Sequence, residues 1–144
     1  MKLSTRGRYG VRLMLELAIH YKDGPILLKD ISKNQEVSLK YLGQLIMPLK
    51  IAGLVKSARG AHGGYFLSMP PEKIKLGEIV NALEGVLCIV ECINSPEICD
   101  RSGKCAARDV WGELNHRMID ILNSYTLQDM VIAQTQKENS IPLQ

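Results

Sequence analysis

No stretch of this chain approaches the roughly twenty consecutive apolar residues that a bilayer crossing requires, so no membrane partner is expected. The N-terminus combines early positive charge with an apolar flavour. Arg12 and Glu16 interrupt that region and no small-x-small cleavage site follows, which argues against a secretory leader and for a cytoplasmic protein. Internal repeats and low-complexity tracts are missing too. The three histidines, His20, His62 and His116, are scattered, and no nucleophile–base pair or paired-acid motif accompanies them. The chain therefore reads as no enzyme, with no small-molecule substrate. A Cys-x-x-Cys pair is also lacking, which removes the ordinary structural zinc site.

What is present is enough for one good core with a small appendage: 144 residues, 46% hydrophobic and 23% charged. The net charge is only +3, but residues 1–69 carry 11 Lys/Arg against 4 Asp/Glu, while residues 70–144 carry 7 against 11. A basic first half and an acidic second half point to a polyanion as the partner of the first.

Three of the four cysteines, Cys92, Cys99 and Cys105, share one stretch, separated by six and then five residues. Asn94, Ser95, Pro96, Asp100, Ser102 and Gly103 make that stretch a loop with no face to bury. Free cysteine is usually a small buried hydrophobe. That bland reading suits Cys88, inside Val86-Leu87-Cys88-Ile89-Val90, and suits the other three poorly. In a reducing compartment, three thiols on a polar loop point to a soft-metal or redox site.

Along the chain, Ser4 or Thr5 caps a first helix to about His20, with Val11, Met14, Leu15, Ala18 and Ile19 as its apolar stripe. A short helix follows from Lys29 to about Gln35, with Ile31 inward. Ser38 then caps a third, whose Leu39, Leu42, Leu45, Ile46 and Leu49 face the core, opposite Lys40, Tyr41, Gln44 and Met47. Pro48 predicts a kink or an early end, because it lacks a donor and crowds the Gln44 carbonyl; Gly53 supplies a stop. Two β-prone runs around Gly60–Gly64 read as a hairpin, with His62 exposed at its tip. A phosphate-cradling loop fits less well, because an apolar strand follows the glycines instead of a helix.

Three helices and a hairpin make a winged helix-turn-helix, whose second paired helix enters the major groove of double-stranded DNA. Pro70-Pro71 marks a boundary, giving residues 1–70 as the DNA-binding region and 71–144 as a linker helix, cysteine loop and dimerisation helix, compact as one domain. The linker helix is predicted over Leu76–Glu84, stopped by Gly85. A long helix is predicted from about Ser102 to near Tyr125. Its stripe of Trp111, Leu114, Met118, Ile121 and Tyr125, widened by Val110 and Leu122, suits a two-fold contact with a second copy better than packing onto the first helix. A last short helix begins near Thr126, and the chain from Lys137 reads as frayed.

With these pieces in order, the chain resembles the Rrf-type family of bacterial transcription regulators, and within it the iron–sulfur, IscR-like branch. The resemblance rests on the opening Met1–Gly10, Asp30-Ile-Ser, Val37–Leu45, Gly53–Tyr65, the three-cysteine loop and Tyr125-Thr-Leu, and covers about residues 1–132. It implies a mainly α fold with a small β-hairpin wing, and a homodimeric repressor or activator. It also implies a [2Fe–2S] cluster on Cys92, Cys99 and Cys105, and control of cluster-biogenesis genes. Ser38, Lys40, Tyr41 and Gln44 would lie on the recognition helix and Arg59 on the wing near the minor groove. Gln suits adenine, and arginine suits a narrow minor groove.

Three positions depart from the pattern. Arg108 stands where IscR-like members place a histidine ligand, and Arg8 where the nitric-oxide-sensing NsrR type has an acidic one. Cys88, Glu91, Asp109, His116 or water then compete as the fourth ligand. Gly43 replaces a glutamate that helps discriminate DNA sites. The alternatives are a cluster-free regulator of the same family, sensing zinc, nitric oxide or thiol oxidation through the same cysteines, and an enzyme or electron carrier using the cluster.

Overall fold

The Ser4 hydroxyl opens the first helix, accepting from the backbone N–H groups of Arg6 and Gly7 at 3.1 and 3.4 Å. The computed structural model describes residues 2–142. Among them run α1 (Thr5–Ile19), α2 (Leu28–Gln35), α3 (Leu39–Ile51), β1 (Val55–Ala58), β2 (Gly64–Leu67), α4 (Leu76–Glu84), α5 (Ala106–Ser124) and α6 (Leu127–Asn139). The predicted mainly α fold with a hairpin wing is the fold observed.

Helix α1 is the central pillar, touched by α2, α3, α4, α6 and β2. Being wrapped on several sides, it buries Leu13 and Leu17 besides Met14 and Ala18, more than the one stripe predicted. Ile19, expected inward, is 40% exposed at the last position of the helix, although Leu17 and Ala18 in the same turn stay buried. The core is a single cluster to which Leu13, Leu45 and Leu49 contribute from one side of Pro70 and Ile74, Ile79, Leu83 and Leu127 from the other.

For α3 the inward placement of Leu39 needs correction, and of the two outcomes predicted at Pro48, a kink or an early end, the early end falls away. Leu39 is 51% exposed, since the first residue of the helix projects beyond the core that holds Leu42, Leu45, Ile46 and Leu49. Pro48 does not end the helix, which continues to Ile51. The carbonyl that loses its donor belongs to Gln44, an exposed residue, so water can satisfy it, while Leu45, Ile46 and Leu49 hold the turn in the core. The helix then closes with a paired C-terminal motif, Gly53 N–H on Lys50 O at 2.9 Å and Leu54 N–H on Leu49 O at 3.0 Å.

Strands β1 and β2 pair antiparallel, from Val55 opposite Leu67 to Ala58 opposite Gly64. Ile26 adds a bridge to Tyr65, with reciprocal N–H···O bonds of 2.9 and 2.8 Å. Gly64 (φ +141°) lies so close to Ile26 that a Cβ there would overlap its backbone. The wing is thereby fastened to the α1–α2 connection.

Beyond the wing, α4 runs as predicted, with Ile79, Val80 and Leu83 buried and Gly85 at its end. Its start is tied to the α5–α6 junction by Leu76 N–H on Tyr125 O (3.0 Å) and Leu127 N–H on Ile74 O (2.8 Å). Helix α5 begins at Ala106, later than Ser102, because Ser102–Lys104 forms a separate 3-10 turn. It packs on α4, and Asn115 is its one buried residue. Helix α6 is longer than the short element predicted and continues through Lys137 to Asn139. Thr126 and Asp129 cap it reciprocally, at 2.8 and 3.1 Å.

Candidate DNA interface and cysteine loop

The outward face of α3 carries Lys40, Gln44 and Met47, all exposed. Ser38 is exposed at the N-cap, where its hydroxyl accepts from Tyr41 N–H at 3.2 Å. Tyr41 is different: half-buried, it packs edge-on against Tyr9 of α1, with ring centroids 6.0 Å apart and planes at 85°. Its hydroxyl donates to Thr5 Oγ1 at 3.1 Å, so it ties α3 to the first turn of α1. Two guanidiniums, of Arg8 and Arg12, lie 5.8 and 5.2 Å from the Tyr9 ring centroid. Arg59 is exposed just past β1, on the wing. Lys50 Nζ donates to Ser57 Oγ at 3.0 Å, tying α3 to that wing. Arg8 and Arg12 of α1, Lys40 of α3 and Arg59 beside β1 are all exposed, and Gln44 adds an exposed amide to α3.

A polar lock missed at the sequence level sets the turn between α2 and α3. Glu16, buried on α1, accepts from Asn34 Nδ2 at 2.7 Å and Gln35 Nε2 at 2.8 Å. Arg12 donates to the Gln35 side-chain oxygen at 2.9 Å and to its backbone carbonyl at 2.6 Å, satisfying the C-terminus of α2. The signal available in the sequence was Glu16 inside an apolar stripe, which is unusual unless the charge is paired.

The cysteine loop runs as two 3-10 turns, Glu91–Ile93 and Pro96–Ile98, before the turn at Ser102–Lys104. Cys92 and Cys105 are half-buried, Cys99 is exposed, and Cys105 is the N-cap residue of α5. The donors are of the right kind for an iron–sulfur group, three soft thiols on a loop that buries no side chain. They are not drawn together: among the described residues no group of three or more His, Cys, Asp and Glu side chains is arranged to hold a metal ion.

The candidates for a fourth ligand are dispersed. The Cys88 thiol, half-buried, donates to the Val90 carbonyl at 2.9 Å. Glu91 and Asp109 are exposed, and His116 is exposed beside Asp120, with Nε2 3.2 Å from Oδ2. Arg108 turns toward the loop, its Nε donating to the Cys92 carbonyl at 2.8 Å and its Nη2 to that of Ile93 at 3.4 Å. It fastens the first cysteine's backbone to α5. Asn115 makes a second tie, its Oδ1 accepting from Ile89 N–H at 3.0 Å. Trp111, Leu114 and Ile121 of α5, and Tyr125 at its C-cap, are exposed in the single chain.

A family model described as "Rrf2: Iron-dependent Transcriptional regulator" matches residues 3–133. The Rrf2 protein of Nitratidesulfovibrio vulgaris is 44% identical over 131 residues, covering 91% of this chain and 87% of the relative. The solved structure of CymR, described as the global cysteine regulator of B. subtilis, superposes with a TM-score of 0.80 at 41% identity, covering 92% of this chain and 98% of that one. That of T. potens IscR gives 0.78 at 38% identity, covering 100% and 94%. No helix among the described residues is long and apolar enough to cross a membrane.

Proposed function

Because this chain belongs to the Rrf2 family of DNA-binding transcription regulators, we propose that it is a cytoplasmic homodimer whose promoter affinity is set by an iron–sulfur cluster on Cys92, Cys99 and Cys105. Residues 1–70 read DNA in this scheme, and residues 71–144 hold the loop and the dimer contact. The observation that carries the reading is the placement of three accessible or half-accessible thiols on one loop that is hydrogen-bonded to α5. The exposed apolar face of α5, with Trp111, Leu114, Ile121 and Tyr125, supplies a surface that a second copy can cover.

Ser38, Lys40, Tyr41 and Gln44 contact the major groove, and Arg59 the minor groove. When bound, a [2Fe–2S] cluster supplies sensitivity to iron supply and oxidation. The chain's own residues supply the rest. Cys105 stands at the N-cap of α5, and Arg108 holds the Cys92 backbone in reach of that helix. Control of cluster-biogenesis genes is the regulatory output that fits such a signal.

The second reading is a cluster-free thiol regulator, favoured by the separation of the cysteines and by the likeness to a structure described as a cysteine regulator. Absorbance together with iron and sulfide analysis after anaerobic reconstitution decides between them. Visible charge-transfer bands with iron and sulfide in equal amounts support the cluster. A colourless, iron-free protein whose DNA affinity follows thiol oxidation establishes the second reading.

A further inference from the structure

Helix α4 ends at Glu84, and its carboxylate leaves that helix to cap another. Glu84 Oε1 accepts from the Ser4 backbone N–H at 3.2 Å, from the Gly7 N–H at 3.0 Å, and from the Ser4 hydroxyl. These are donors of the first turn of α1, left without partners inside the helix. A negative charge is favoured there by the helix dipole. The fit is close enough that a Cβ on Gly7 would collide with Glu84 Oε1, and one on Gly10 with the Leu83 side chain. The sequence separation of Glu84 from these donors is 80 and 77 residues, so the contact joins the two halves of the chain.

What lies at each end of this contact gives it meaning. On one side, Glu84 is followed by Gly85 (φ +82°) and then by the segment that leads through Cys88 and Ile89 into the cysteine loop. Ile89 is itself tied to α5 through Asn115. On the other side, Thr5 in the same first turn accepts from the Tyr41 hydroxyl of the recognition helix, and Tyr9 one turn later packs on the Tyr41 ring. A continuous path therefore runs from the cysteine loop through Glu84 and the first turn of α1 to Tyr41.

We infer that Glu84 is a positioning residue that couples the cysteine loop to the recognition helix within one chain: its carboxylate holds the first turn of α1, and through Thr5 it holds Tyr41, in a register that depends on the loop. The inference rests on the proposed role of that loop, and the route it describes lies within one chain. A rearrangement of residues 86–105 pulls first on the C-terminus of α4. There, three hydrogen bonds accepted by one carboxylate oxygen pass the displacement to α1, while the buried Leu83 beneath keeps α4 seated.

The test compares full-length wild type, Glu84→Ala and Glu84→Gln, each reconstituted anaerobically with ferrous iron and sulfide or stripped with chelator. Affinity for the protein's own promoter DNA is measured, along with hydrogen exchange at the Gly7 amide. For the wild type, a ratio between the two preparations in the ordinary allosteric range, about 5–150-fold, is expected, with a change in Gly7 protection. Glu84→Ala is expected to bring the ratio to unity and to unprotect Gly7. Glu84→Gln, which keeps an acceptor oxygen, restores most of both. A Glu84→Ala protein that retains the wild-type ratio overturns the coupling and leaves the role of the loop intact. If wild type loads iron and sulfide with no change in affinity, the role of the loop falls and the coupling with it. The Gly7 measurement on wild type needs no variant to fold; unchanged protection between the two preparations also overturns the coupling.

Discussion

Replacing Glu16 by glutamine should measure how much the polar lock behind the recognition helix contributes. Glu16 is 6% exposed, and its carboxylate serves two amide donors, Asn34 Nδ2 at 2.7 Å and Gln35 Nε2 at 2.8 Å, with His20 Nε2 farther off at 3.6 Å. An amide in its place keeps one acceptor oxygen and turns an NH2 group toward the other donor. One hydrogen bond to a charged acceptor is lost, a change of about 1.5–3 kcal/mol. For a chain of 144 residues this lowers the melting temperature by about 3–12 °C. Calorimetry at one fixed chain concentration is the assay, because self-association would itself raise the midpoint. Gln35 also receives Arg12, so freeing it loosens the turn that leads into α3, and promoter affinity should fall in the same variant. A midpoint within about 1 °C of wild type would refute the reasoning, since a buried carboxylate with two short bonds cannot then be contributing at the magnitude expected of charged partners.

Two further outcomes follow from the recognition helix and the last cap. Gln44→Ala should cost about 1–3 kcal/mol at one base position and little on random DNA, while overall binding weakens steeply with salt; competition gel shifts with single-base operator variants check this, and equal loss on all sequences rejects a base-reading Gln44. The Asp129 carboxyl is held below its ordinary range by the Thr126 backbone N–H, then by the Thr126 hydroxyl. A lowered folded value stabilises fully above the ordinary aspartate range and is lost as pH falls through the lowered value. Protection factors of the α6 amides, in which the intrinsic slowing of exchange in acid is divided out, should therefore fall on acidification in wild type and lose that part of their pH dependence in Asp129→Asn.

The parts of the fold that local chemistry dictates were legible in the chain. Ser4 and Ser38 announce helix starts, Gly53 and Gly85 announce stops, and Gly60–Gly64 between two β-prone runs announces the wing. What stayed hidden depends on distant partners. Glu84 looks like one more charge at a helix end, and nothing near it in sequence reveals that it caps α1. Periodicity gave one buried stripe to α1, although packing from several sides buries Leu13, Leu17 and Glu16 as well. The local penalty of Pro48 falls on Gln44, an exposed residue, while Leu45, Ile46 and Leu49 hold the turn in the core. At the candidate site, the type and spacing of the cysteines were visible, but the Arg108 bonds to Cys92 and Ile93 arise only when the loop folds back on α5.

The thiol loop as the controller of DNA binding is tested most directly by titrating one labelled promoter fragment with anaerobically reconstituted and chelator-stripped protein, wild type and Cys99→Ala side by side. Cys99 is the exposed member of the trio, so its removal leaves the packed core alone. The wild-type curves should separate, and the Cys99→Ala curves should coincide. Superimposable wild-type curves, or a separation that survives the loss of Cys99, would contradict the proposed role of the loop.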